Sequence, residues 1–251
     1  MATTCKNCNQ DFEGNFCPNC GQSAHTHEIN LHFLWHDIQH GLFHFDNGLF
    51  YTLKELFTSP GYTIKEFIEG KRVKHFKPLS FLIILSTIYG LLMHYFELDE
   101  TVNFTVKNKN DELYIFKQVI DWLSVHYAFT NLLLLPFLAL STFLAFKKEP
   151  YNYVQHLVLN AFLSGLGIVF RILCFPFFFF FDKKVDLQIL NYIDFLAIGF
   201  KVWALYQFFD YLAKRTRFWK ITLSYVYLGI IFLTVVVILG LLIALYITKL
   251  R

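Results

Sequence analysis

Charge is scarce in this chain. Only 16% of its 251 residues are Asp, Glu, Lys or Arg, against about 25% in a typical soluble domain. So few charges exclude an ordinary water-soluble enzyme, and 55% hydrophobic residues, 20% of the chain being aromatic, exclude a disordered one. An excess of one sign is also missing: the formal net charge is +3, too small to argue for nucleic acid. There is no Gly-rich phosphate loop, no Gly-x-Ser-x-Gly and no His-Glu-x-x-His, so the common nucleotide and hydrolase signatures are absent. Facing-span residue pairs of the kind intramembrane proteases need do not appear either.

What is present is apolar length. Five stretches, near 78–96, 125–146, 157–181, 187–212 and 221–247, could each cross a hydrocarbon core, which takes about 20 helical residues. Asp194 and Lys201 interrupt the fourth. The expectation is an all-α polytopic membrane protein with a transmembrane bundle over 78–251. The fifth span is nearly free of polar groups and should face lipid or a second copy of the chain. Of the 22 Lys and Arg, 13 fall in segments that an inward amino terminus leaves in the cytosol and seven in the outer segments, so the bias favours that orientation. Between the first two spans lies an acidic outer loop, 97–124, in which Thr101 to Val106 alternates like a short strand.

Four of the five cysteines crowd into the first twenty residues, as Cys5-Lys-Asn-Cys8 and Cys17-Pro-Asn-Cys20. Two Cys-x-x-Cys turns across a short loop form a tetrahedral thiolate set, which points to structural zinc held by Cys5, Cys8, Cys17 and Cys20. A head of residues 1–24 cannot bury a core, so metal binding would supply most of its folding free energy. Four thiolates leave no open position for catalysis. Disulfides or redox use are the alternatives, but Met1 to Asp11 carries no export-like apolar run and no βαβ pattern surrounds the pairs. A reduced, cytosolic head follows. Cys174, in an apolar run, reads as a small buried hydrophobe.

Residues 25–77 have helical periodicity without a continuous apolar run. Leu49, Leu53, Leu56 and Phe57 form one stripe; Ile64, Phe67 and Ile68 form another, ended by Gly70, with Ser59-Pro60-Gly61 as the turn between them. Such faces suit amphipathic helices on the inner leaflet. Lys71, Arg72, Lys74 and Lys77 follow, where they fix topology or touch anionic headgroups, worth about 1 kcal/mol each. His32, His36, His40 and His44 recur every four residues. An i, i+4 pair such as His36 and His40, with Asp37 beside it, could chelate a second metal; a pH sensor or the wet face of an interfacial helix are the other readings.

These motifs carry a resemblance. The Cys-x-x-Cys-Gly-Gln head, His44-Phe-Asp46-x-Gly48-x-x-x-Thr52-x-x-x-Leu56, Pro60-Gly61, Glu66-Phe67-Ile68-x-Gly70-Lys71-Arg72 and Phe76-x-Pro78 resemble a bacterial zinc-ribbon membrane family, domain-of-unknown-function family 3667. The likeness spans residues 5–82. It implies an integral membrane protein of the bacterial inner membrane with a cytosolic ribbon, and it supplies no activity, substrate or catalytic residue.

Charged groups in hydrocarbon cost about 2.5–3.5 kcal/mol each on insertion scales, so they should face a partner or a cavity. Asn160, Ser164, Gly167 and Arg171 share one face of the third span; Asn191, Asp194 and Lys201 share one face of the fourth; Ser80, Thr87 and His94 recur along the first. All three stripes are expected to turn inward, with Arg171 and Lys201 sharing Asp194. Ser164, Gly165 and Gly167 would allow close backbone approach. No catalytic residue stands out. The leading expectation is a membrane adaptor or regulatory protein whose zinc ribbon docks a protein partner or its own interfacial helices, with lipids as further partners and a homo-oligomer open. A small transporter or channel lined by Arg171, Asp194 and Lys201 is the first alternative, which a solvent-reaching cavity at those residues would favour. An interfacial lipid-modifying enzyme near the histidines and the Lys71–Lys77 cluster is the second.

Overall fold

A computed structural model describes residues 2–26, 29–34, 48–96, 112–176 and 187–250, and the fold is mainly helical. The His36, Asp37, His40 and His44 positions, the expected 101–106 strand and the Phe177–Phe181 run lie outside the described residues.

The amino-terminal head holds the only sheet among the described residues, β1 (Thr3–Thr4) antiparallel to β2 (Asp11–Phe12), with Thr3 opposite Phe12. Its apolar centre is small: Cys5, Phe12 and Cys17, with Cys8, Cys20 and Ala24 packed around them.

Helices α1 (Gly48–Thr58) and α2 (Pro60–Glu69) follow the stripes. Pro60 stands in the first turn, where its missing N–H costs nothing. Gly70 ends α2 in the left-handed region (φ 112°), its amide donating to Glu66 O and Phe67 O. The apolar faces meet protein: Leu56, Ile64 and Phe67 are fully buried in the same core as the long helices. The contact that decides this is Gly61 on α7 (Leu187–Phe208). A Cβ at Gly61 would lie 2.3 Å from Ala204 O and 2.4 Å from Phe208 N. Gly61→Ala should therefore lower stability by about 1–3 kcal/mol through overpacking, whereas Gly199→Ala, which meets open space, should leave the melting temperature within a degree or so of the parent. Thermal unfolding of the two detergent-solubilised variants checks this.

Among the described residues four helices are long and apolar enough to cross a membrane: α3 (Pro78–Tyr95), α5 (Tyr127–Ala145), α6 (Tyr153–Cys174) and the Lys214–Leu242 part of α8 (Lys214–Leu250). Helix α4 (Glu112–Val125) leads into α5 through a break at His126. The fourth expected stretch is helical as α7 but is not among those four. Helix α6 begins four residues before the expected 157, because Asn152 and Gln155 form a reciprocal capping box. Helix α8 starts at Lys214, so its first two turns are basic.

Burial ranks the helices. Most of α6 is enclosed, while the most apolar window of α8 is not buried at all. Helices α3, α5 and α7 all pack on α6, and α8 packs on α5. Helices α5 and α7 have no more than a marginal contact with each other, so a gap lies between them over α6.

Candidate functional site

Two arrangements carry chemistry. In the head, the Sγ atoms of Cys5, Cys8, Cys17 and Cys20 all lie within 4.8 Å of one another, with Cys5–Cys20 and Cys8–Cys17 at 3.5 Å. A tetrahedron with Zn–S bonds of 2.3 Å has edges of about 3.8 Å, so the set needs little adjustment to close on an ion of that size.

The loops that build it are near copies. Cys5 N donates to Gln10 O at 3.0 Å and Cys17 N to Gln22 O at 2.8 Å; Asn9 N returns to Cys5 O and Gly21 N to Cys17 O, both at 2.9 Å. Asn9 (φ 57°) and Gly21 (φ 76°) occupy the same left-handed position in the two turns, which Asn tolerates and Gly adopts freely. The equivalence of Asn9 and Gly21 was readable from their common place after each Cys-x-x-Cys.

Amides then point at sulfur. The Gln10 amide lowers the Cys8 pKa, and the amides of Gln22, with the Asn7 side chain, bring Cys20 down to about 6. Burial pushes Cys5 up to about 11, against donation from the Cys8 and Asn7 amides. Donors converging on clustered sulfurs favour thiolates, and clustered thiolates favour a cation. The four cysteines could hold a metal ion.

The head rests on the end of α2. Gln22 Oε1 accepts from Arg72 N at 3.3 Å, and Lys6 and Thr26 cover Gly70. Arg72 stacks over Phe33 and Phe67, at 4.6 and 5.4 Å from their ring centres, and donates to Phe67 O. Lys71 pairs with Glu66 at 2.7 Å, which raises its pKa. Lys74 lies 5.9 Å over Tyr51, and Lys77 caps α3. Lys71, Arg72 and Lys74, expected to fix topology or touch lipid headgroups, thus have protein partners. His32 is exposed.

The second arrangement is the gap over α6. A cavity of about 530 Å³ is lined from three sides by Tyr127, Thr130 and Asn131 of α5, Ser164, Gly167 and Arg171 of α6, and Asp194 and Lys201 of α7. These are helical stripes, each with steps of three, four or seven residues, so the periodicity that marked the α6 and α7 faces also brings them together. Arg171 grips Asp194 with two bonds, Nε–Oδ1 at 2.9 Å and Nη2–Oδ2 at 2.7 Å, and Nη1 meets the Tyr127 hydroxyl. Bidentate geometry makes this the strong form of the pair.

Lys201 makes no direct contact with Asp194, although the Asp194 charge acts on it. It makes no ion pair among the described residues and packs on Gly167, where a Cβ would come within 3.5 Å of its Nζ. Asn160 leaves the cluster too: it donates to Thr142 Oγ1 and His156 O at 2.8 Å, in a separate buried network with His156. Sequence reasoning missed Thr142 and His156, whose partners become visible only once α5 and α6 are paired. On α3, Ser80 is buried, but Thr87 and His94 are exposed, so this stripe does not turn inward. The Asn191 side chain lies outside the described residues, and Cys174 is half-buried.

Residues 46–90 match the family described as Protein of unknown function (DUF3667). That match runs through α1, α2 and most of α3. Within the DUF3667 segment, Thr52 accepts from Phe76 N at 2.7 Å, Gly48 lies against Lys74 O and Gly61 against α7. These positions join the helices and make no catalytic constellation. No curated protein and no solved structure matches the chain.

Proposed function

We propose that this chain is a multi-pass protein of the bacterial inner membrane that binds an anion inside the bilayer and acts as a small transporter. The amino terminus lies in the cytosol, α7 is the fourth of five spans, and the cysteine head is a structural zinc ribbon clamped to the chain's own α2. One observation carries the reading: the cavity reaches Arg171, Asp194 and Lys201. Asp194 neutralises Arg171, so Lys201 leaves the lining with one surplus positive charge. A cation placed on a helix face within the membrane marks a pathway or a binding site.

With α6 running outward, Arg171 and Asp194 lie toward the external side and Lys201 about 10 Å deeper along α7, seven residues at 1.5 Å each. Water entering from outside would reach Asn131, which bonds only within its own helix, to Tyr127 O. In a Cys174→Ala background, Asn131→Cys should react with an impermeant methanethiosulfonate added outside at least about tenfold faster than Leu135→Cys, whose position is 3% exposed. Equal, slow labelling at both positions would reject a hydrated cavity.

The adaptor reading keeps one supporting observation. Phe16, two-thirds exposed on the head, offers an aromatic contact to a partner.

A further inference from the structure

The cavity is partly open, with α5 and α7 lining it on either side of α6. Helices α5 and α7 both pack on α6 with no more than marginal contact with each other, and α8 touches both. Leu134 of α5 and Ile198 of α7 line the cavity and are 43% and 42% exposed. These two side chains are therefore the lips of a lateral slot. Leu133 beside the first, and Phe195 and Leu196 beside the second, extend the lips as exposed apolar surface. In a membrane such a surface faces acyl chains.

Inside the slot the chemistry changes over a few ångströms. Thr130, Asn131 and Ser164 offer hydrogen-bonding groups, and Lys201 offers a charge with no ion-pair partner among the described residues. A free inorganic ion would use the polar interior and have no use for apolar lips. A zwitterionic lipid would use the lips and leave the surplus charge unmet. A ligand with an anionic head and a hydrocarbon tail satisfies both.

Resting on the anion-binding reading above, we propose that the ligand is an anionic phospholipid of the outer leaflet. Its phosphate reaches Lys201 and the hydroxyl and amide groups of Ser164, Thr130 and Asn131, while its acyl chains stay in the bilayer between Leu134 and Ile198. The bidentate Arg171–Asp194 pair bounds the head's compartment on its outer side. Lysine serves here as a point charge on a flexible stem, which suits a phosphate entering from the side.

The probe is phosphatidylglycerol doped into phosphatidylcholine nanodiscs holding the full-length protein, read by native mass spectrometry. One phosphatidylglycerol per chain should survive release from the disc. Lys201→Gln should reduce its occupancy about tenfold and Lys201→Arg should restore it, a step of about 1.4 kcal/mol. Excess glycerol phosphate in the buffer should not displace it. Undiminished retention in Lys201→Gln overturns the proposal, as does displacement by glycerol phosphate, which would make the ligand a soluble anion. Loss in Lys74→Gln with retention in Lys201→Gln also overturns it, because the lipid would then sit on the juxtamembrane basic patch. The two readings separate cleanly. Fast labelling of Asn131→Cys without lipid retention leaves the anion site standing and removes the lipid, whereas Lys201-dependent retention without labelling removes the hydrated pathway.

Discussion

On the zinc-ribbon proposal, Cys17→Ser should take zinc from one ion per chain to essentially none by elemental analysis of the purified protein. The reason is the size of the head. Its buried apolar centre is three residues, two of them cysteines, so the free energy that orders it must come from ligation, about 10–16 kcal/mol for a structural zinc at neutral pH. Removing one thiolate also exposes the amides now turned to sulfur. Limited proteolysis should then cut within residues 1–26 while the helical core survives, because that core is a separate cluster from Cys5, Phe12 and Cys17. Zinc added back to chelator-stripped parent should release protons, the buried Cys5 thiol among their sources, since burial holds its pKa near 11 and only the thiolate ligates. Metal retained in the variant at full stoichiometry would refute the four-thiolate site. The same preparation decides the adaptor question: a partner that copurifies with the parent and is lost from Cys17→Ser would restore docking as the head's role.

The residues that were legible beforehand share a property. They act through local spacing. The two Cys-x-x-Cys pairs, the α1 and α2 stripes and Gly70 at the end of α2 can each be read from neighbours within seven positions, and the structure has a cysteine cluster and two helices at those places. Features that depend on which helix lies beside which were not legible. Gly61 looks like part of a turn and is in fact the point where α2 meets the α7 backbone. Asn160 and Arg171 share one face of α6, yet Thr142 claims the first and Asp194 the second. The α1 and α2 stripes looked suited to lipid, and their hydrophobicity was correctly read; what spacing could not say is that the apolar surface opposite them belongs to this same chain. Thr87 and His94 went the other way, because α3 turns Tyr89 and Leu85 to the core and leaves these two outside.

Asp194→Asn should separate the structural from the functional share of the intramembrane cluster. In the parent, Arg171 gives both ends of its fork to Asp194 and its side chain is only 19% exposed. The amide of Asn can accept one of those bonds but carries no charge, so Arg171 loses the carboxylate that its fork holds within a membrane helix. That state costs about 2.5–3.5 kcal/mol on insertion scales, less whatever water in the cavity returns, since Asp194 itself is 40% exposed. A net loss of about 1–3 kcal/mol is a large fraction of a normal stability and should appear as a several-fold drop in monodisperse protein after mild detergent extraction. The double variant Arg171→Gln/Asp194→Asn removes both charges and should recover most of that yield, because breaking a buried pair from one side costs more than removing both partners. Binding should behave differently. Both variants keep Lys201, so any folded fraction of either should still retain phosphatidylglycerol. Full extraction of Asp194→Asn together with loss of lipid would reverse the roles, making the pair part of the ligand site and leaving the helix packing independent of it.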